Sequence, residues 1–79
     1  MDTNVCYIRT DMIQPNRRLC YGQAEIELFF SMMRSGIRTA PITVLFDGEY
    51  FRILDGEKRW RAAKKLGMTS IEAMIVGLR

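Results

Sequence analysis

Ile53-Leu54-Asp55-Gly56-Glu57-Lys58-Arg59-Trp60-Arg61-Ala62-Ala63-Lys64-Lys65-Leu66-Gly67 reads as a strand that ends in a glycine turn and passes into a short, strongly basic helix. The start of a helix leaves backbone N–H groups without intrahelical acceptors and carries the positive end of the helix dipole. With Lys58, Arg59 and Arg61 added, the same end becomes a place for phosphate. Asp55 is the N-cap candidate, Glu57 sits where the dipole favours an anion, and Ala62, Ala63 and Leu66 are good helix formers. Gly67 supplies the left-handed stop. At helical spacing Arg59, Ala62, Ala63 and Leu66 share the packing face, whereas Lys58, Arg61 and Lys65 share a cationic one.

Arg59 is anomalous in this pattern, because it puts a charge at the edge of the face that packs, and an unpaired buried ion is costly. It needs Asp55, Glu57 or a backbone carbonyl as partner, or else a bound anion. Trp60, beside the turn, is either a stacking platform for a base or a core anchor.

The segments before the turn complete a small α+β unit. Val5 to Ile8 suggests a first strand, with Met12-Ile13 packing beside it before Pro15-Asn16 and a loop carrying Arg17 and Arg18. From Gln23 to Ser35, Ile26, Phe29, Phe30 and Met33 recur at helical spacing, Leu28 and Met32 widen the stripe, and Gly36 closes it. These side chains read as core. Pro41 to Phe46 and Tyr50 to Leu54 are β-rich runs joined by Asp47-Gly48-Glu49, a strong hairpin signal. Ser70 to Val76 reads as a closing strand with Ile71, Ala73 and Ile75 on one face.

Composition narrows the chemistry. The 79 residues make one domain, with a net charge of +3 that is mild evidence for an anionic partner. There is no histidine, and Cys6 and Cys20 are the two cysteines, so a metal centre, a Ser-His-Asp triad and a Cys-His pair are all disfavoured. Met1-Asp2-Thr3-Asn4 lacks the basic start of a signal peptide, and no apolar run is long enough to cross a bilayer. A cytoplasmic protein with reduced thiols, away from membranes, is the expectation.

In order and spacing, these features resemble the N-terminal domain of the ParB family, a fold shared with sulfiredoxin. The resemblance runs from Ile13 to Val76. Pro15-Asn16-Arg17-Arg18 is similar to the family's arginine loop, and Ser35-Gly36-Ile37 with Pro41-Ile42-Thr43-Val44 to its helix end and Pro-Ile strand. Gly56-Glu57-Lys58-Arg59-Trp60-Arg61-Ala62-Ala63 is close to its Gly-Glu-Arg-Arg-x-Arg-Ala box, with one exchange at Lys58.

The resemblance implies an α+β fold, a mixed sheet of about four strands with two main helices, over a single domain 1–79. It implies a nucleoside triphosphate, CTP or ATP with Mg²⁺, held through Gly56, Glu57, Lys58, Arg59 and Arg61, with Arg17 or Arg18 closing from the side. Glu57 is the candidate base or Mg²⁺ ligand, for at most a weak nucleoside triphosphatase. The family's Gly-x-x-Gln-Pro turn is here Gly36-Ile37-Arg38-Thr39-Ala40-Pro41, one residue longer and without the Gln, so Arg38 or Thr39 is left for the nucleobase or closing loop. Sulfiredoxin chemistry is disfavoured, since Glu57 or Lys58 stands where its cysteine belongs.

The expected setting is DNA partition or plasmid or transcription regulation, with a homodimer or partner protein and DNA as further partners. The chain ends before the family's third box, its helix-turn-helix and its dimerisation region. A different class of function is sequence-independent nucleic-acid binding through Lys58, Arg61, Lys64, Lys65 and the Arg17-Arg18 loop. A metal-dependent nuclease built on Asp47, Glu49, Asp55 and Glu57 ranks last.

Overall fold

The computed structural model describes residues 5–15 and 23–77. In chain order the elements are β1 (Val5–Arg9), a 3-10 turn (Thr10–Met12), β2 (Ile13–Gln14), α1 (Gln23–Arg34), β3 (Ile42–Phe46), β4 (Phe51–Asp55), α2 (Glu57–Leu66) and β5 (Ser70–Val76). One mixed sheet runs in the order β1-β5-β3-β4-β2. The hairpin signal holds: β3 and β4 are antiparallel, and the Asp47 carboxylate accepts from the amides of Glu49 at 2.9 Å and Tyr50 at 2.8 Å, closing the turn over Gly48.

One feature of the sheet differs from the sequence expectation, and the place of β5 is one on which the sequence reading made no statement. Ile13 does not pack as a partner of the first strand; Ile13 and Gln14 run parallel to Phe51 and Arg52 at the far edge, giving the sheet a fifth strand. β5, the closing strand of the sequence reading, lies inside the sheet between β1, antiparallel, and β3, parallel. Both pairings are long-range, so no local pattern announces them.

Period-two alternation sends Ile8, Ile42, Val44, Ile53, Ile71 and Ala73 to a common core with Trp60 and Ala63 of α2. The aromatic and methionine stripe of α1 is a correction to the core reading: no residue of α1 is fully buried, Leu28 is exposed, and only Met33 among them packs on the core's edge. The reason is width. Ala62 and Ala63 let α2 settle onto the sheet, so α1 leans on α2 instead. Gly36, at φ 84°, does end α1, its amide donating to Met33 O at 3.0 Å.

Candidate functional site

The turn between β4 and α2 is built by Gly56. It is the N-cap of α2, at φ 98° and ψ 23°, and its carbonyl accepts the first helical bond from the Trp60 amide at 3.1 Å. Asp55 is therefore not the cap, as its sequence position suggests; it closes β4 with its carboxylate exposed, and no side chain caps the helix. Glycine is required twice over here. The backbone is left-handed, and a Cβ would stand 2.8 Å from Arg59 Nη2 and 2.8 Å from Ile42 Cγ2.

Arg59 lies in the angle so formed, its side chain only 17% exposed. Two of the three protein partners that the sequence offers are at hand, but at the limit of hydrogen bonding: Nη2 is 3.5 Å from the Pro41 carbonyl and 3.5 Å from Asp55 Oδ2. The guanidinium carbon lies 5.8 Å from the centre of the Phe29 ring. Its Nε is buried with no hydrogen-bond partner, the one such side-chain atom among the described residues. A buried orphan donor on a charged group costs stability unless something answers it.

The remaining cations of α2 are occupied. Glu57 does not pair with Arg59; its buried carboxylate accepts from Arg61 Nε at 2.9 Å and Nη2 at 2.8 Å, one turn on. Lys58 Nζ is 3.4 Å from Glu25 Oε1, and Lys65 pairs with Glu27 and lies over the Phe30 ring. Lys65 first, then Gln23, hold the Glu27 carboxyl below the usual carboxylate range. Lys64 covers the Trp60 ring at 4.5 Å. Trp60 itself is a core anchor, 3% exposed, whose Nε1 donates to the Thr10 carbonyl at 3.2 Å. Phe29 and Glu25 were not legible as neighbours of the site, because their placement follows from the crossing of two helices.

Gly56 and Arg59 are thus brought together, with Lys58 beside Arg59 in the chain and its amine at Glu25, whereas Arg61 is turned to Glu57 and Lys64 and Lys65 lie further along the helix. Arg38 and Thr39 line a separate cleft of about 320 Å³ with Tyr7, Met68 and Glu72, where Arg38 Nη2 donates to Glu72 at 2.8 Å. Gly36 ends α1 beyond that cleft. Arg17, Arg18 and Cys20 lie outside the described residues. Cys6 is an exposed thiol on β1. The nuclease carboxylates do not converge: Asp47 serves its own turn and Arg52, Glu57 faces Arg61, and no group of three potential metal ligands occurs among the described residues. No helix among them is long and apolar enough to cross a membrane.

Comparison with known proteins agrees with this architecture. The nucleoid occlusion protein of Geobacillus kaustophilus is 40% identical over 79 aligned positions, covering 94% of this chain and 28% of that protein. The chromosome-partitioning protein ParB of Caulobacter crescentus, C-terminally truncated and complexed with CTP-γ-S, superimposes with a TM-score of 0.81 at 23% identity, over 95% of this chain and 45% of that one. Sulfiredoxin from Arabidopsis thaliana shares the fold at a TM-score of 0.80 and 20% identity, over 94% of this chain and 85% of that one. The chain spans about a quarter of the length of the curated relatives it matches. The model of the ParB N-terminal domain matches residues 2–79, and the chain belongs to that family.

Proposed function

We propose that this domain binds the phosphates of a nucleoside triphosphate at the Gly56 turn, with Arg59 as the principal contact, Lys58 beside it, and CTP or ATP as the candidate ligands. The observation that carries the reading is the buried Arg59 Nε without a partner, in a guanidinium whose two acceptors both stand at 3.5 Å. An oxyanion at the start of α2 supplies the missing acceptor and meets the positive end of the helix. The complex of the Caulobacter crescentus relative with CTP-γ-S supports a triphosphate as that oxyanion.

Mg²⁺ fits as a companion of the triphosphate, since this ion is commonly held by one or two carboxylates together with phosphates. Asp55 is the carboxylate exposed at the turn and would hold it; Glu57 is buried against Arg61. When bound, the ion neutralises phosphate charge. The chain's own part is to orient: Gly56 lets the backbone approach, the wall of Ile42 and Phe29 confines Arg59, and Arg59 directs its charge at the ligand. We place the domain in a ParB-type protein of DNA partition or plasmid or transcription regulation, with DNA, and a second copy or a partner protein, as its further partners; the Caulobacter crescentus ParB complexed to the centromeric parS site supports the DNA. Nucleotide hydrolysis is at most weak on this reading, because the Glu57 carboxylate is buried and engaged by Arg61.

The test is calorimetric titration with CTP, ATP and GTP, each with Mg²⁺. Binding of at least one that Arg59→Ala reduces about tenfold or more is expected, since a charge-assisted bond contributes about 1.5–3 kcal/mol. No binding to any, or binding indifferent to Arg59→Ala, overturns the proposal.

A further inference from the structure

Two of the carboxylates that meet the cations of α2 come from one half of α1. Glu25 reaches Lys58 at 3.4 Å, and Glu27, braced by the Gln23 side chain at 3.1 Å, reaches Lys65. The two contacts are chemically alike but differently placed. Lys58 is in the first turn of α2, where the helix dipole favours an anion; Lys65 is in the last, where it does not. Lys58 also adjoins Arg59, whose guanidinium lies over Phe29 of the same helix α1. Glu25 therefore stands at the very helix end that attracts oxyanions, on an element that buries no residue completely.

We propose that Glu25 is a built-in competitor at the oxyanion site. Its carboxylate occupies Lys58 in the free protein and is displaced when phosphate oxygens take that lysine, so that the first turn of α1 loosens as the ligand binds. The inference rests on the phosphate-binding reading of Gly56 to Arg59. It makes α1 a ligand-responsive element, because Glu25, Glu27 and Phe30 meet α2 through ion pairs and a ring contact near the surface, and no residue of α1 is fully buried.

Glu27 is the internal control. Lys65 lies about 10 Å along the helix axis from Lys58 at 1.5 Å per residue, roughly one screening length in physiological salt. Glu25→Gln and Glu27→Gln change the net charge equally. If the contact matters and not the sum of charge, only the first acts on the site.

The experiment measures the affinity of inorganic triphosphate for the wild-type chain, Glu25→Gln and Glu27→Gln, together with amide hydrogen exchange with and without saturating triphosphate. Glu25→Gln is expected to tighten binding about two- to fivefold, the span an exposed ion pair supports. Glu27→Gln is expected to leave it unchanged, and triphosphate is expected to speed exchange at the start of α1 while slowing it at the start of α2. Equal tightening by both variants, no tightening by Glu25→Gln, or slower exchange at the start of α1 overturns the proposal. Arg59→Ala keeps the two readings apart: if it abolishes binding while Glu25→Gln changes nothing, the phosphate site stands and the competitor does not.

Discussion

Substituting Gly56 by alanine probes the turn on which the site depends. The backbone there has φ +98°, and the new Cβ would meet Ile42 Cγ2 and Arg59 Nη2 at 2.8 Å each and Ile42 Cβ at 3.0 Å. A left-handed conformation costs an L-residue about 1–2 kcal/mol, and forcing a methyl into a packed wall costs about 1–3 kcal/mol more. Gly56→Ala should therefore lose about 2–5 kcal/mol, a large part of the stability of a domain this small. Gly48 gives the reference: its φ is +103°, with nothing within 4 Å of a Cβ, so Gly48→Ala carries the backbone cost alone. Urea unfolding of both variants, followed by far-ultraviolet circular dichroism, separates the terms. The folded fraction of Gly56→Ala should also bind triphosphate more weakly, since Arg59 must move aside. Equal stability losses in the two variants, or an unaltered affinity in Gly56→Ala, would refute the reasoning.

Three further outcomes follow from the same structure. Glu57→Ala removes the buried acceptor of Arg61 and should cost about 1–3 kcal/mol in urea unfolding; a neutral result would show that the pair does not hold the start of α2. Trp60, buried under Lys64 and bonded to Thr10, should resist acrylamide quenching and change its emission little on adding CTP or ATP; strong quenching by either would contradict the core assignment. The amides of Tyr50 and then Glu49, with Arg52, hold the Asp47 carboxyl below the usual carboxylate range. A lowered folded pKa stabilises above the unfolded value near 3.9, so this contribution is lost as pH falls below about 4. Asp47→Asn should flatten that acid limb of the stability curve, and an unchanged limb would remove Asp47 as its source.

How much of this was legible in the sequence depends on how local the cause is. The hairpin was legible because Asp47-Gly48 carries its own turn chemistry, and the end of α2 because Gly67 stops it with a left-handed residue, its φ being 88°. The start of α2 was misplaced by one residue, since Asp55 looks like a cap while the backbone of Gly56 does the capping. Helical spacing alone could not say which helix would own the sheet; the small side chains of Ala62 and Ala63 decide that, and they leave Phe29 and Phe30 at the rim beside cations. The pairing of β2 with β4 and the burial of Glu57 are products of tertiary contact and had no local signal. Arg59 is the instructive case. Its wrong-faced charge was visible in the pattern, and the structure shows what the anomaly consists of: a guanidinium held on three sides with one buried N–H unanswered.

That N–H is where the account is tested most directly. In a ¹⁵N–¹H correlation spectrum resolving arginine side chains, the Arg59 Nε–H resonance, assigned through Arg59→Lys, should move downfield and saturate as triphosphate is added, marking a new hydrogen bond. A resonance that stays in place while triphosphate reaches millimolar concentration would contradict the claim that this group awaits an oxyanion.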